Sequence, residues 1–122
     1  MTESDLEAIL QAVPCRWRHG ERSGMYYAAV TGLPAELVCT LSGTDLELLF
    51  RPTEEPCDTS RELLEYYLQL ASDFAVFRLF LDQRDRLNLF GLWPRDELDV
   101  GLASWMITEF IQYCDYLVER LA

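Results

Sequence analysis

The 122-residue sequence offers few side chains able to do covalent or acid–base chemistry, and their spacing restricts them further. His19 is the only histidine, so a thiol–imidazole pair would have to join it to Cys15, its nearest candidate. Cys15, Trp17 and His19 alternate with Arg16 and Arg18, which is the period of a strand, and four residues of strand hold the two groups about 13 Å apart. That is beyond hydrogen-bond reach, so a nucleophile and its base do not stand together. The carboxylates Glu54/Glu55 and Asp96/Glu97/Asp99 are paired, but they fall in a connection and at a helix start, where acids serve the helix dipole. The six glycines are dispersed singly among turns and strands, not gathered into a phosphate loop. Cys15, Cys39, Cys57 and Cys114 form no CxxC pair and lack a second histidine to complete a zinc set. They read as reduced thiols, three buried as small hydrophobes, with Cys57 inert in its acidic connection. The expectation is a non-enzyme with no catalytic residue, metal or cofactor.

Charge narrows the partners. All 10 basic residues are arginine and face 21 acids, for a net charge of -11. Such a field repels phosphate backbones, whose binding depends on neutralisation by Lys and Arg, so direct nucleic-acid binding is not expected. The longest apolar runs, such as Leu48–Phe50 and Phe74–Phe77, are far short of the roughly 20 residues that span a bilayer. Met1 to Leu10 carries three acids and no base, the opposite of a secretory signal, which predicts a cytoplasmic protein. A chain of this length with 50% hydrophobic residues can close one core unaided, so residues 1–122 are expected to form a single domain.

The elements follow from period and punctuation. Ser4 and Glu7 form a capping-box pattern, and Leu6, Ile9, Leu10 and Val13 recur at helical spacing up to Pro14. Strands are predicted from Cys15 to His19, Met25 to Val30, Glu36 to Ser42 and Leu46 to Arg51, the last two joined through Gly43-Thr44-Asp45. Thr59 and Glu62 make a second capping box for a helix over about Ser60–Asp73. Ala75–Leu81 and Arg86–Trp93 read as a hairpin around Asp82-Gln83-Arg84-Asp85. Asp96 or Asp99 then caps a long helix over Val100–Leu121. The fold class is α+β, with a mostly antiparallel sheet of about five or six strands, helices at the N-terminus, middle and C-terminus, and helical cover on one face.

Two places carry too much hydrophobicity for that cover. In the last hairpin Phe77, Leu79 and Leu81 share a face with Leu87, Leu89 and Trp93, yet Val76, Phe80, Phe90 and Leu92 stand on the other beside Arg78 and Asn88. Arg78 and Arg86 could there bind a carboxylate or act as solvated edge charges that blunt aggregation. On the last helix Trp105, Ile111, Tyr113 and Tyr116 widen the apolar stripe well past the usual arc of roughly 100°. Either the helix lies in a deep groove, or the excess marks an interface.

The segment from Phe77 to Asp99, with its Leu92-Trp93-Pro94 corner, leads into a last helix running Ile107-Thr-Glu-Phe-Ile-Gln-Tyr-Cys-Asp-Tyr-Leu and bearing Asp115 and Tyr116. It resembles the closing half of YbjN-family proteins, which in turn are similar in fold to class I type III secretion chaperones. The element order resembles them over nearly the whole chain, and the residue pattern over about residues 60–121. The resemblance implies an α-β-β-β-α-β-β-α domain, a homodimer, no cofactor, and capture of an extended stretch of another protein on hydrophobic surface. That partner would be a secreted effector or a stress-response protein.

The sequence therefore predicts a chaperone-like, non-catalytic protein-binding module. Its partner or dimer surface would be built from Val76, Arg78, Phe80, Phe90, Leu92, Trp105 and Tyr113. The alternative is a small-molecule-binding or enzymatic domain with a pocket between sheet and last helix, lined by Trp17, Tyr26, Tyr27 and Trp105.

Overall fold

Thr2, two residues before the expected cap, starts the first helix. Its hydroxyl accepts from the Asp5 amide at 3.1 Å, and the Asp5 carboxylate accepts from the Thr2 amide at 2.9 Å, a complete capping box. The computed structural model describes every residue except Pro14, Val30, Thr31, Thr59, Ala75 and Ala122. The expected boundaries at Pro14, Val30 and Ala75 and the Thr59 half of the second capping box therefore lie outside the described residues.

Helix α1 (Glu3–Ala12) is followed by four strands, β1 (Arg16–His19), β2 (Met25–Ala29), β3 (Glu36–Leu41) and β4 (Asp45–Phe50). Helix α2 (Arg61–Ala71) comes next, then β5 (Arg78–Leu81), β6 (Leu87–Pro94) and helix α3 (Val100–Leu121). The strands form one antiparallel sheet in the order β1-β2-β3-β4-β6-β5, so β1 and β5 are its edges. This is the α+β architecture expected from the sequence, with the four first-half strands read from the residues, one more than the α-β-β-β-α-β-β-α order implied by the resemblance. Asp99 is the cap of α3: its carboxylate accepts from the Leu102 amide at 2.7 Å.

Alternation decides the two faces. Register places Trp17, Ala28, Leu37, Phe50, Leu89 and Leu79 in one inward row, and His19, Tyr26, Cys39, Leu48 and Gly91 in the next. Tyr26, Ala28, Leu37, Cys39, Leu48, Phe50 and Leu89 of these rows meet Leu6, Ile9 and Leu10 of α1 and Ala103, Met106, Ile107, Phe110, Cys114 and Leu117 of α3 in one buried core, with His19 exposed at its rim. Of the expected strand Ala75–Leu81, only Arg78–Leu81 is strand; Val76 and Phe77 form a turn and bend that follow a short 3-10 turn, Ser72–Phe74. It turns both Phe74 and Phe77 inward, where Phe77 packs edge-on against Phe110 at 5.1 Å and Trp93 at 5.7 Å. Helix α2 contributes little to this core, burying only Leu70, while Leu68 is 74% exposed.

The cysteines depart from expectation. Cys39 and Cys114 are buried and Cys15 and Cys57 only half so, giving two core thiols instead of three. Burial pushes Cys39 up to about 12 and Cys114 higher still, so both are protonated and inert as nucleophiles.

One turn depends on glycine. Gly24 has φ +79, and a Cβ there would stand 2.2 Å from the Leu41 carbonyl oxygen. The Gly24 carbonyl also accepts from the Leu41 amide at 2.8 Å, which ties the β1–β2 turn to β3. Gly24→Ala is expected to cost about 2–3 kcal/mol of stability by urea denaturation, because strain and clash act together. A loss under about 1 kcal/mol would mean that the turn relaxes freely.

Candidate functional site

Among the described residues no helix covers the outward face of the sheet, and that is where the chain leaves much of its apolar surplus. Register sets Arg18, Tyr27, Val38, Leu49, Phe90 and Arg78 in a row across it, with Thr40, Glu47 and Leu92 in the next. The row is apolar from Val38 to Phe90 and ends in the charged Arg78 on β5, with Phe80 next along that strand's outward face. Val76 is 58% exposed, Phe80 41% and Leu92 50%, with Phe90 half-buried among them. Phe80 and Phe90 pack edge to face at 6.1 Å, which orients both rings. Val76, Arg78, Phe90, Gly91, Leu92 and Trp93 line a groove of about 240 Å³ at this edge. Gly91 matters here because a side chain would collide inward, its Cβ lying 2.7 Å from the Trp93 ring and 3.0 Å from Phe77.

A charged clasp fixes the hairpin that carries this surface. Asn88 is 1% exposed: its carbonyl accepts from Arg51 Nε at 3.1 Å, and its amide donates to the Arg86 carbonyl at 2.9 Å and to Asp82 at 3.3 Å. Arg86 reaches Asp82 at 3.0 Å and Glu54 at 2.7 Å, and Arg51 adds a second contact to Glu54 at 3.3 Å. The Asp82 carboxylate also takes the amides of Arg84 and Arg86, closing the β5–β6 turn. Asp85 completes that turn with φ 58, and its carbonyl accepts from the Cys57 amide at 2.7 Å. Arg86 is therefore no free surface charge, contrary to the sequence reading; it is consumed in joining the turn to the 51–58 connection.

Burial alone would push the Asp82 carboxyl up, but the amides of Arg86 and Arg84, the Asn88 amide and the Arg86 guanidinium outweigh it and hold it at about 2. The guanidinium groups of Arg51 and Arg86 likewise hold Glu54 below its usual range. A carboxyl depressed on folding contributes stability above its unfolded value of about 3.9, which is lost as pH falls towards the folded one. Urea midpoints should therefore drop between about pH 4 and pH 2, and less steeply in Asp82→Asn. Equal slopes in the two proteins would contradict the clasp.

Val76, Arg78, Phe80, Phe90 and Leu92 thus come together on the outward face of β5–β6 and the approach to it. The other two expected residues do not join them. Trp105 is 54% exposed on α3, in the helical layer on the opposite side of the sheet, one turn from the exposed Leu102. Tyr113 is half-buried against Phe74 at 5.7 Å and Phe77 at 5.5 Å, so it walls the core. Sequence reading missed the clasp, although Asn88 inside an apolar strand is its one visible signal. It also missed the open face of α2, where Leu64, Tyr66 and Leu68 stay exposed.

The alternative pocket is not assembled as expected. Tyr26 faces inward and Tyr27 outward, because neighbours on a strand point oppositely, so the two cannot line one cavity. The space between sheet and α3 is occupied by Leu48, Phe50, Leu89, Met106, Ile107 and Phe110, all fully buried. Trp17 and Tyr26 instead line a separate cleft beside α1. Among the described residues, no helix is long and apolar enough to cross a membrane, and no group of three or more His, Cys, Asp or Glu side chains converges as metal ligands would.

The sequence matches no protein-family model and no curated protein sequence. Its fold does have a solved counterpart. One chain of the heterodimeric complex ExoU-SpcU from the type III secretion system of Pseudomonas aeruginosa superposes on it with a TM-score of 0.66 at 17% identity. The match covers 98% of this chain and 96% of that one, so the two share their architecture over essentially their full lengths.

Proposed function

We propose that this chain is a non-catalytic, chaperone-like binding module that takes a segment of a partner protein on the outward face of β5–β6 and acts as a homodimer in the cytoplasm. The observation that carries the reading is the placement of Val76, Phe80, Phe90 and Leu92 on one sheet face without cover, at an edge strand. Contiguous apolar surface of this kind on a folded protein marks an interaction site. An unpaired edge strand beside it offers backbone donors and acceptors to an added segment. The shared architecture with a chain of a two-protein secretion complex supports the same reading. The finer resemblance to YbjN-family proteins and class I type III secretion chaperones belongs to this proposal and rests on residues 60–121.

The test is light scattering on the purified chain. The reading predicts a mass twice the 14.2 kDa of one chain at micromolar concentration. A stable mass of 14.2 kDa would remove the homodimer and leave partner capture to stand alone.

A further inference from the structure

A second site lies away from the β5–β6 face, where α1 runs alongside edge strand β1. Glu7, Leu10 and Gln11 of the helix, Cys15 just before β1, and Trp17, Arg18, His19 and Tyr26 of the sheet line a cleft of about 290 Å³, with the Arg18 guanidinium already paired to Glu36 at 2.9 Å. That is room for one side chain and its backbone, below the size of pockets that enclose drug-sized ligands.

Its polar groups are arranged with vacancies. Glu7 Oε1 receives the Tyr26 hydroxyl at 3.0 Å and lies 3.3 Å from His19 Nε2. Both contacts fall on one oxygen, which leaves Oε2 without a hydrogen bond among the described residues. The His19 and Tyr26 rings pack at 4.6 Å and, with Trp17, form aromatic walls. The Trp17 indole N–H is buried, and among the described residues the group beside it is the Cys15 sulfur. Burial raises the Cys15 thiol, and the Trp17 indole beside it acts in the opposite direction as a hydrogen-bond donor to a weak sulfur acceptor.

We infer that this cleft binds a basic side chain within a peptide. The cation would sit between the Glu7 carboxylate and the aromatic faces of Trp17, His19 and Tyr26. Arginine fits best, because its planar guanidinium pairs with a carboxylate while stacking on aromatic rings. An anion would meet the Glu7 carboxylate and a protein of net charge -11, so the opposite ligand charge is disfavoured. That the side chain belongs to a captured partner rests on the protein-binding reading; recognition of the cation does not.

The experiment titrates argininamide into the 15N-labelled full chain and follows the three indole N–H resonances, with Trp17→Phe identifying the one concerned. The expected result is a saturable shift of the Trp17 resonance with a dissociation constant on the order of millimolar, and at least a tenfold weaker response to citrullinamide, which has the same shape without the charge. Glu7→Gln should weaken argininamide by a similar factor. Absence of a shift, or equal shifts with the two amides, would overturn the site. The Phe80→Asp, Leu92→Asp variant should keep the shift, so failure of the β5–β6 reading and failure of this one are separately visible.

Discussion

Phe110→Ala is expected to destabilise the protein by about 3–5 kcal/mol, the range for deleting a fully buried aromatic ring. Phe110 has no exposed surface and stands at the centre of the core, edge-on to Phe77 at 5.1 Å. A domain of this size holds about 5–15 kcal/mol in total, so the variant should be partly unfolded or close to it at room temperature. Trp105→Ala, on the same helix, should change stability by less than about 0.5 kcal/mol, because its ring is on the surface. Urea denaturation of the pair checks both. Similar losses at the two positions would mean that α3 packs differently from the arrangement described.

The second large effect concerns association. Replacing Phe80 and Leu92 together by Asp places two charges in the middle of the outward apolar face. If that face is covered by a second copy, each substitution should cost about 2 kcal/mol or more of association energy, and the two together should weaken the dimer on the order of a thousandfold. The fold should survive, since both side chains are exposed in the single chain. The loss of the Phe80–Phe90 ring contact is worth about 1 kcal/mol at most of its stability. Unchanged far-ultraviolet dichroism with halved solution mass is the expected outcome.

Much of this molecule is legible in residue order because one-faced burial writes itself as alternation. Leu37, Cys39 and Leu41 in β3 and Leu46, Leu48 and Phe50 in β4 all point inward, as their period of two requires. The outward position of Phe80 and Leu92 is legible for the same reason. What fails is anything decided by chain segments far apart. Thr2-x-x-Asp5 and Ser4-x-x-Glu7 are equally good caps on paper; the choice falls to the pair one half-turn earlier, which lets Glu3 reach Ser23 at 2.9 Å. Ala75–Phe77 has strand composition, but the core needs Phe74 and Phe77 side by side, and a tight turn delivers that where a strand cannot.

The candidate site shows the same division. Five of its expected residues share a face because hairpin register follows from the polar turn at 82–85. Trp105 and Tyr113 were grouped with them only through a helical stripe too wide to rank by sequence. In three dimensions, Tyr113 is taken up by Phe74 and Phe77 while Trp105 is left outside. The clasp around Asn88 was illegible because, although Arg51–Glu54 and Asp82–Arg86 are each close in sequence, the two pairs are brought together, and onto Asn88, only by the pairing of β4 with β6.

Whether the uncovered hairpin face is a contact surface is tested most directly by amide hydrogen exchange, comparing the purified chain with its Phe80→Asp, Leu92→Asp variant at equal concentration. A second copy seated there should slow exchange across residues 76–81 and 87–94 in the unaltered protein alone, with the core strands β3 and β4 equally protected in both. Identical exchange over the hairpin in the two proteins would show that nothing covers this face, and the proposed homodimer surface would have to be abandoned.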